Sequence, residues 1–393
     1  MRRSGPLSSP VRTRTPNCPS AAAGRAREHG RLRLTAIFSA MTGKVRSKIG
    51  SAVRSVTPDA APGVALGAAP GVALGAALSV ALGTMLTVAI IPAPAVAQDA
   101  TGGSAVTGAF ADLEPGGRAA ALGGAAGPLV ADPSALHFNP ARLVSIETAG
   151  VMATYADLFN LDLVHHTGVF VAVPRFERNV SWDGGAVGDE PGRVTTTYGF
   201  GIQATQVDLE PESYGEYDLS FALARHGRWD SRYALVFHYL VMRSDLDEIG
   251  GSGWAFDLAL ARNITSSLEA SVVLRSLWSS LKWDTGDDET LLARAQFGLG
   301  WRPFTGVQLP LEIVYDLERS HLQRFSGGFE WQPVGPALAL RAGLRHTDDG
   351  ETTETLPSAG LGLTWKHVTF DYGMAIGREE LGDTHRFSLG YQF

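Results

Sequence analysis

The carboxy-terminal segment, Thr384 to Phe393, alternates between apolar and polar side chains up to its last residue. Side chains alternate faces along a β-strand, so one face of this segment is apolar and the other is polar. The apolar face carries Phe387, Leu389, Tyr391 and Phe393. Terminal residues of soluble domains usually fray, whereas a membrane barrel needs its last strand to pair with its first. The pattern therefore favours the closing strand of a membrane barrel, with these four residues as its assembly signal, over the last strand of a soluble exported sandwich.

The first 97 residues have the organisation of an export signal. A basic stretch after Met41 precedes an apolar run and then the small-residue sequence Ala95-Val96-Ala97-Gln98. A basic region, an apolar region and a small-x-small site define a secretory signal peptide. We expect a signal peptide over 41–97, cleaved between Ala97 and Gln98, with an uncleaved anchor helix as the alternative. We expect residues 1–40 to be disordered or a mis-assigned extension, since Met41 is a second candidate start.

Charge and cysteine usage change at the same boundary. Residues 1–97 hold 12 of the 33 basic and 2 of the 40 acidic residues, which leaves 33 − 12 = 21 basic and 40 − 2 = 38 acidic residues beyond them. The exported part is therefore strongly acidic, which excludes a nucleic-acid partner, since phosphates require a basic surface. The single cysteine, Cys18, also precedes the boundary. The exported part thus has no disulfide and no cysteine-based metal site.

Alternation recurs throughout the remaining chain. Leu311, Ile313 and Tyr315 share one face of their segment, and Glu312 and Asp316 share the other. Carboxylates opposite an apolar face suit a lumen better than a dry core. No stretch after Gln98 approaches the roughly 20 apolar residues that a membrane helix needs. We predict an all-β fold, a transmembrane antiparallel barrel over 148–393 with about fourteen strands. The predicted strands are 148–156, 164–174, 195–207, 215–226, 231–243, 253–263, 266–280, 290–302, 309–318, 323–333, 336–346, 357–366, 367–376 and 384–393.

Connection lengths and tryptophan positions agree with a barrel. Bacterial barrels have short periplasmic turns and longer external loops. Every second predicted connection is short, except residues 175–194, which are too long for a periplasmic turn. Aromatic residues form belts at both membrane interfaces. Five tryptophans lie near predicted strand ends: Trp254, Trp278, Trp301, Trp331 and Trp365.

Residues 98–147 do not alternate and precede the first strand. This segment is rich in Gly and Ala, and Asp132 or Ser134 has the chemistry to cap a short helix that Asn139-Pro140 would end. Backbone of this kind is not stable when exposed to lipid, because its polar groups would be unpaired. We predict a plug that folds inside the barrel or against one mouth.

The plug sequence also carries a family resemblance. Arg118 to Gly124 and Asp132 to Leu143 resemble the opening of the PorV/PorQ family of outer-membrane proteins, which reads Arg-Ala-x-x-Met-Gly-Gly-Ala and then Asp-x-Ser-Ala-x-x-x-Asn-Pro-Ala-x-Leu. Leu122 replaces the usual Met, and Arg142 replaces a usual Gly. Three later segments are also similar: Leu338 to Leu344, Phe370 to Tyr372 and Leu381 to Tyr391. The resemblance implies a FadL-like barrel in the outer membrane of a diderm bacterium.

The resemblance implies two alternative roles. The first is a component of a type IX-like secretion system that engages secreted cargo proteins. The second is passive transport of a hydrophobic solute, as in FadL relatives. Outer-membrane lipid and the barrel assembly machinery are the remaining expected partners.

No motif indicates catalysis, and we expect no enzyme activity, no cofactor and no metal. His165 and His166 are adjacent, so on a strand they point to opposite faces and are poorly placed to share a metal. The acidic loop residues at 287–289 and 348–351 lack the spacing of a calcium loop. We expect lumenal ion pairs between two sets of residues, Arg275, Arg294, Arg341 and Arg345 on one side and Glu269, Glu312 and Asp316 on the other.

Overall fold

The computed structural model describes residues 110, 113–158, 163–177, 193–209, 212–245, 250–348, 350, 352–377 and 382–393. Fourteen long strands form the barrel within these ranges. They are β1 Gly150–Asp157, β2 Val164–Glu177, β3 Arg193–Leu209, β4 Glu212–His226, β5 Ser231–Ser244, β6 Gly251–Asn263, β7 Leu268–Trp283, β8 Arg294–Trp301, β9 Val307–Asp316, β10 His321–Trp331, β11 Leu338–Asp348, β12 Thr353–Trp365, β13 Val368–Ala375 and β14 Thr384–Gln392. Two short segments are also extended: Asp288–Glu289, which pairs with β7, and Pro333–Pro336, which lies just before β11. The predicted strands match these to within a few residues.

Each strand pairs antiparallel with its neighbour in sequence, and the last strand pairs with the first. β14 lies against β1 in a register that runs from Gly150 opposite Gln392 to Asp157 opposite His385. β6 and β7 are paired as well, so no strand is left at an edge. The predicted closed fourteen-stranded antiparallel barrel is confirmed.

The two faces of the wall have opposite chemistry. Phe387, Leu389 and Tyr391 of β14 are exposed on the outside, whereas Arg386 and Ser388, on the other face of the strand, are buried in the interior. The same division holds for β9, where Glu312 and Asp316 are buried and Leu311 and Ile313 are exposed. All five tryptophans near predicted strand ends are exposed, at 41% to 73% of their surface. The outer surface is therefore an apolar band with aromatic residues near its margins, as a lipid-facing wall requires.

The barrel has two unlike mouths. We call the mouth that holds Gly150 and Gln392 proximal and the opposite one, at Asp157 and Thr384, distal. The proximal turn between β12 and β13 contains only Lys366 and His367, and Lys366 has the left-handed backbone that a tight turn requires, at φ 55. The wall is taller from β2 to β7, where strands have 13 to 17 residues. The long connection predicted over 175–194 lies mostly outside the described residues, between Glu177 and Arg193.

The plug lies inside this wall. It contains helix α1 Gly117–Ala121, helix α2 Ala135–Phe138 and a 3-10 helix, Pro140–Ser145. Helix α1 packs against β11 to β14, and the 3-10 helix packs against β2 to β6. A Cβ at Gly343 of β11 would overlap the backbone of Gly123, so this glycine allows the plug to press directly on the wall. Within the described ranges no helix is long and apolar enough to cross a membrane.

Candidate functional site

Glu114 is the central anion of the amino-terminal part of the plug. Its Oε1 lies 2.6 Å from Nη1 of Arg324 on β10, and its Oε2 pairs with Nη2 of Arg345 on β11. Arg324 also reaches Glu312 on β9, with Nη2 2.9 Å from Oε1. Glu114 is only 2% exposed. Buried carboxylates require such partners, so these pairs fix the plug to one side of the wall.

A second cluster holds helix α1. Nε of Arg118 lies 3.0 Å from Oε2 of Glu330 on β10, and the same oxygen is 2.7 Å from Nε of Arg341 on β11. Arg341 also donates from Nη1 to Asp371 on β13 at 2.6 Å. Burial alone would lower the pKa of Arg118, but the carboxylates of Glu330, Asp132 and Asp371 outweigh it and raise the pKa. Arg118 is therefore a permanent cation that binds the plug to β10, and through Glu330 and Arg341 it is linked to β11 and β13.

The carboxy-terminal part of the plug is held by the other side of the wall. Arg142 of the 3-10 helix pairs with Oε2 of Glu269 on β7, and Arg232 on β5 lies 3.0 Å from Oε1 of the same carboxylate. Nε of Arg142 also donates to the carbonyl of Val130 at 2.7 Å. Burial lowers the pKa of Arg142 to about 10, because Glu269 only partly offsets the loss of hydration. The two halves of the plug are thus tied to opposite walls.

A row of polar side chains crosses the wall beside the plug, and we call it the polar ladder. It consists of Asp218 (β4), His238 (β5), Asp257 (β6) and Arg275 (β7). Nδ1 of His238 lies 3.0 Å from both carboxylate oxygens of Asp218, and Nε2 lies 3.3 Å from Oδ2 of Asp257. Both ring nitrogens face carboxylates, which suits the protonated imidazolium, since it alone donates from both. Nη1 of Arg275 lies 3.4 Å from Oδ2 of Asp257.

The polar ladder ends on the plug. Arg275 donates from Nη2 to the carbonyl of His137 and, at 3.3 Å, to that of Phe138. A bulge in β7 aims this arginine: Ser276 has φ 51, and its N–H donates to Oδ1 of Asp257 at 2.7 Å. A change at the Asp218 end therefore reaches the plug backbone through an unbroken chain of polar contacts.

The polar ladder lines a small lumenal chamber of about 100 Å³. Its wall includes Gln203 and Glu216, and the apolar side chains of Leu240 and Leu291 face the same space. Plug residue His137 closes one side. The chamber therefore combines hydrogen-bonding groups with apolar surface.

A larger cavity of about 630 Å³ opens at the distal mouth, at the ends of β3 to β7. Tyr214 and Met242 line it. The Tyr214 hydroxyl donates to Oε1 of Glu216 at 2.7 Å and lies 2.6 Å from Sδ of Met242. A single hydrogen bond thus connects Tyr214, which lines the open cavity, with Glu216, which lines the chamber.

The predicted plug residues lie at the ends of the two short helices that follow Val130. Oδ1 of Asp132 accepts the backbone N–H of Ser134 at 2.9 Å, and Ser134 is the residue before α2, although its own side chain makes no capping bond to the helix. Asn139 ends α2, and its Nδ2 donates to the carbonyl of Gly127 at 3.2 Å. Pro140 opens the 3-10 helix, where a missing N–H is tolerated.

The predicted ion pairs involve partly different partners. Arg341 pairs with Glu330 and Asp371, Arg345 with plug residue Glu114, and Arg275 with Asp257. Glu269 receives Arg142 and Arg232, Glu312 receives Arg324, and Asp316 lies near Arg319. Arg294 lines the chamber. The difference arises because carboxylates of the plug and of diagonal strand neighbours come closer than strand order alone indicates. The role of Glu114 as a partner of Arg324 and Arg345 was not predicted from the sequence. The available signal was an acidic residue just before the Gly/Ala-rich segment.

The two adjacent histidines point apart as expected. His166 is buried in the lumen, where Nδ1 lies 3.0 Å from Oγ1 of Thr205. His165 lies outside, with Nδ1 3.1 Å from the hydroxyl of Tyr155. Within the part of the chain that the structure describes, no three His, Cys, Asp or Glu residues form a group suited to a metal ion. The cleavage residues Ala95, Ala97 and Gln98 lie outside the described residues.

Comparison with solved structures finds barrels at low sequence identity. The chain is similar to the Ralstonia pickettii toluene transporter TbuX, at 12% identity and a TM-score of 0.44 over 71% of this chain and 98% of that chain. It is similar to the Pseudomonas putida toluene transporter TodX, at 9% sequence identity and a TM-score of 0.49, over 71% of this chain and 97% of that chain. It is also similar to a Pseudomonas aeruginosa FadL homologue, at 11% sequence identity and a TM-score of 0.49, over 72% of this chain and 99% of that chain. No protein-family model and no curated protein matches the chain. By its own strand pairing, the chain is a closed fourteen-stranded antiparallel β-barrel with an internal plug.

Proposed function

We propose that this protein is a non-enzymatic outer-membrane barrel that admits a small, largely apolar solute through its distal mouth. The observation that carries the proposal is the pair of spaces, the open cavity of about 630 Å³ and the chamber, which the hydrogen bond from Tyr214 to Glu216 connects. The apolar outer band supports a location in a lipid bilayer, because such a surface is unfavourable in water. The signal peptide expected over 41–97 supports export to that membrane.

The lining of the cavity supports a solute rather than a macromolecule. Tyr217 and Val241 add apolar surface beside Tyr214 and Met242. A volume of several hundred cubic ångströms is typical of small-molecule sites. Polar and charged residues, among them Arg243, Asp245 and Asp284, share the lining, so the cavity offers hydrogen bonds as well as apolar contact.

The alternative role, engaging secreted cargo in a type IX-like system, needs an exposed surface at a mouth. Several distal connections are short: β3 and β4 are separated by residues 210–211, and β9 and β10 by residues 317–320. Protein interfaces usually bury about 800 Å² per partner. Turns this short provide little of that area, so solute passage is the better-supported function.

The test is entry of a labelled monoaromatic solute into vesicles that contain the purified full chain. Ser244 lines the cavity on the same face of β5 as buried Met242, so the variant Ser244→Trp should fill it and reduce entry about tenfold or more. Ser266→Trp, in the exposed proximal turn, is the matched control and should leave entry unchanged. Equal entry for empty vesicles and for vesicles with the wild-type protein would reject solute passage. Capture of secreted proteins by wild type, with no entry of solute, would support the cargo role instead.

A further inference from the structure

We infer that the chamber binds the hydrogen-bond-donating head group of the solute, a hydroxyl or a protonated amine, and that Gln203 and Glu216 receive it. This inference rests on the proposed function and names the class of solute. It is drawn from two polar side chains that line the chamber. Each has an oxygen that can accept a further hydrogen bond beyond those that the plug and the neighbouring strands supply.

Gln203 is the first of these groups. It projects into the lumen from β3, and only 7% of the residue is exposed. Its Oε1 has no hydrogen-bond partner among the residues that the structure describes, and the residue lines the chamber. An amide oxygen withdrawn from water without a donor is unfavourable, so a donor that enters the chamber would be stabilised there.

Glu216 is the second group. Its carboxylate accepts the hydroxyl of Tyr214 at 2.7 Å and the backbone N–H of Phe110 at 2.9 Å, both of which are neutral donors. In the described part of the chain no arginine, lysine or histidine forms an ion pair with it. Asp218 and Asp257, by contrast, share His238, and Asp257 also has Arg275. Glu216 therefore has capacity for a further donor, and for a cation in particular.

The size and the remaining lining of the chamber limit what enters. About 100 Å³ holds the equivalent of three to four water molecules, which suits a head group but not a whole solute. Leu240, Leu291 and Leu113 supply apolar surface for the atoms next to that head group. A hydrocarbon would leave Gln203 unpaired, and a carboxylate, which is itself an acceptor, has no proton to donate to Gln203 or Glu216. These two acceptors therefore favour a donating head group over both, although Arg275 and Arg294 also line the chamber.

The experiment uses four probes with the same ring and different heads: toluene, benzyl alcohol, benzylamine and benzoate. Binding to the full chain in detergent is measured by equilibrium dialysis, separately from entry into vesicles. We expect benzyl alcohol and benzylamine to bind at least about tenfold more tightly than toluene and benzoate, which corresponds to about 1.4 kcal/mol.

Three variants assign the preference to the two residues. Gln203→Met should remove the preference for benzyl alcohol over toluene, whereas Gln203→Glu should strengthen benzylamine binding. Glu216→Gln should weaken benzylamine more than benzyl alcohol. Gln392→Met, at an exposed position on β14, is the control and should change nothing. Folding of each variant is checked by its resistance to SDS before boiling. If Gln203→Met does not fold, Gln203→Glu and Glu216→Gln still test the inference, because each keeps the shape of the native side chain.

The outcomes separate the two proposals. Equal binding of toluene and benzyl alcohol, or a preference that persists in all of the Gln203 and Glu216 variants, would overturn the head-group inference even if all four probes enter vesicles. Normal head-group preference without entry of any probe would overturn solute passage and retain the binding site.

Discussion

Arg324 on the barrel wall and Glu114 in the plug form a buried ion pair, with Nη1 2.6 Å from Oε1. The two residues are 210 positions apart in sequence, so the contact exists only when the barrel has closed around its own amino-terminal segment. Glu114 also holds Arg345, and Arg324 also holds Glu312. The plug is therefore bound to the wall by shared charges rather than by apolar packing alone.

Glu114→Gln should loosen the plug. The amide keeps the shape but leaves Arg324 and Arg345 without the plug carboxylate, and removal of one partner of a buried pair costs roughly 3–5 kcal/mol. We expect a lower free energy of unfolding in denaturant and increased entry of a large hydrophilic antibiotic into expressing cells. Glu147→Gln, at an exposed position, is the control. Unchanged stability together with unchanged antibiotic entry would contradict the anchoring role.

Arg275→Gln should expose the carboxy-terminal part of the plug. This change removes the donors to the carbonyls of His137 and Phe138, so the local opening of the plug becomes easier. The reporter is His137→Cys, because the only native cysteine, Cys18, lies in the segment that we expect to be cleaved. We expect maleimide labelling to be roughly tenfold faster in the Arg275→Gln background, equivalent to about 1.4 kcal/mol. Arg262→Gln, on the exposed part of β6, should not change the rate.

Deletion of Phe393 should impair assembly more than stability. The residue is 70% exposed, its N–H donates to the carbonyl of Ala149 at 2.9 Å, and its ring lies 5.1 Å from that of Tyr391. Little folded-state contact is lost, so refolding into detergent should be close to that of wild type. Membrane levels in cells should fall several-fold, since the proposed assembly signal is gone. Normal membrane levels would show that Phe393 is not part of such a signal.

Ile202→Arg should destabilise the barrel in a bilayer. Ile202 is near the middle of β3 and 55% exposed on the outer face. A lone arginine at the midplane costs about 2–4 kcal/mol, whereas near an interface the cost is about 0–1 kcal/mol. Leu322→Arg, close to the distal end of β10, is therefore the matched control. Unfolding by denaturant in lipid vesicles measures the free energy of unfolding of both variants. Equal losses of stability in Ile202→Arg and Leu322→Arg would argue against an outer face in contact with lipid.

The sequence by itself determined the barrel. Alternation with a period of two requires no knowledge of distant partners, so the strands, their outer faces and the inward position of Glu312 and Asp316 were predicted correctly. The close succession of the two strands at Lys366-His367 was predicted in the same way, because the alternating segments 357–366 and 367–376 adjoin there. The position of Ser134 before α2 and of Asn139 after it also followed from local signals.

Only the tertiary structure decided how the interior is paired. Glu114 and Glu330 receive arginines that are 210 and 212 positions away in sequence, and the approach of a plug to a curved wall cannot be calculated from alternation. The bulge at Ser276 that aims Arg275 at the plug has the same origin. The faces of a strand depend on its own residues, whereas the partner of a lumenal charge depends on strands and plug brought together by closure of the barrel. That is why the wall was predictable and the chamber was not.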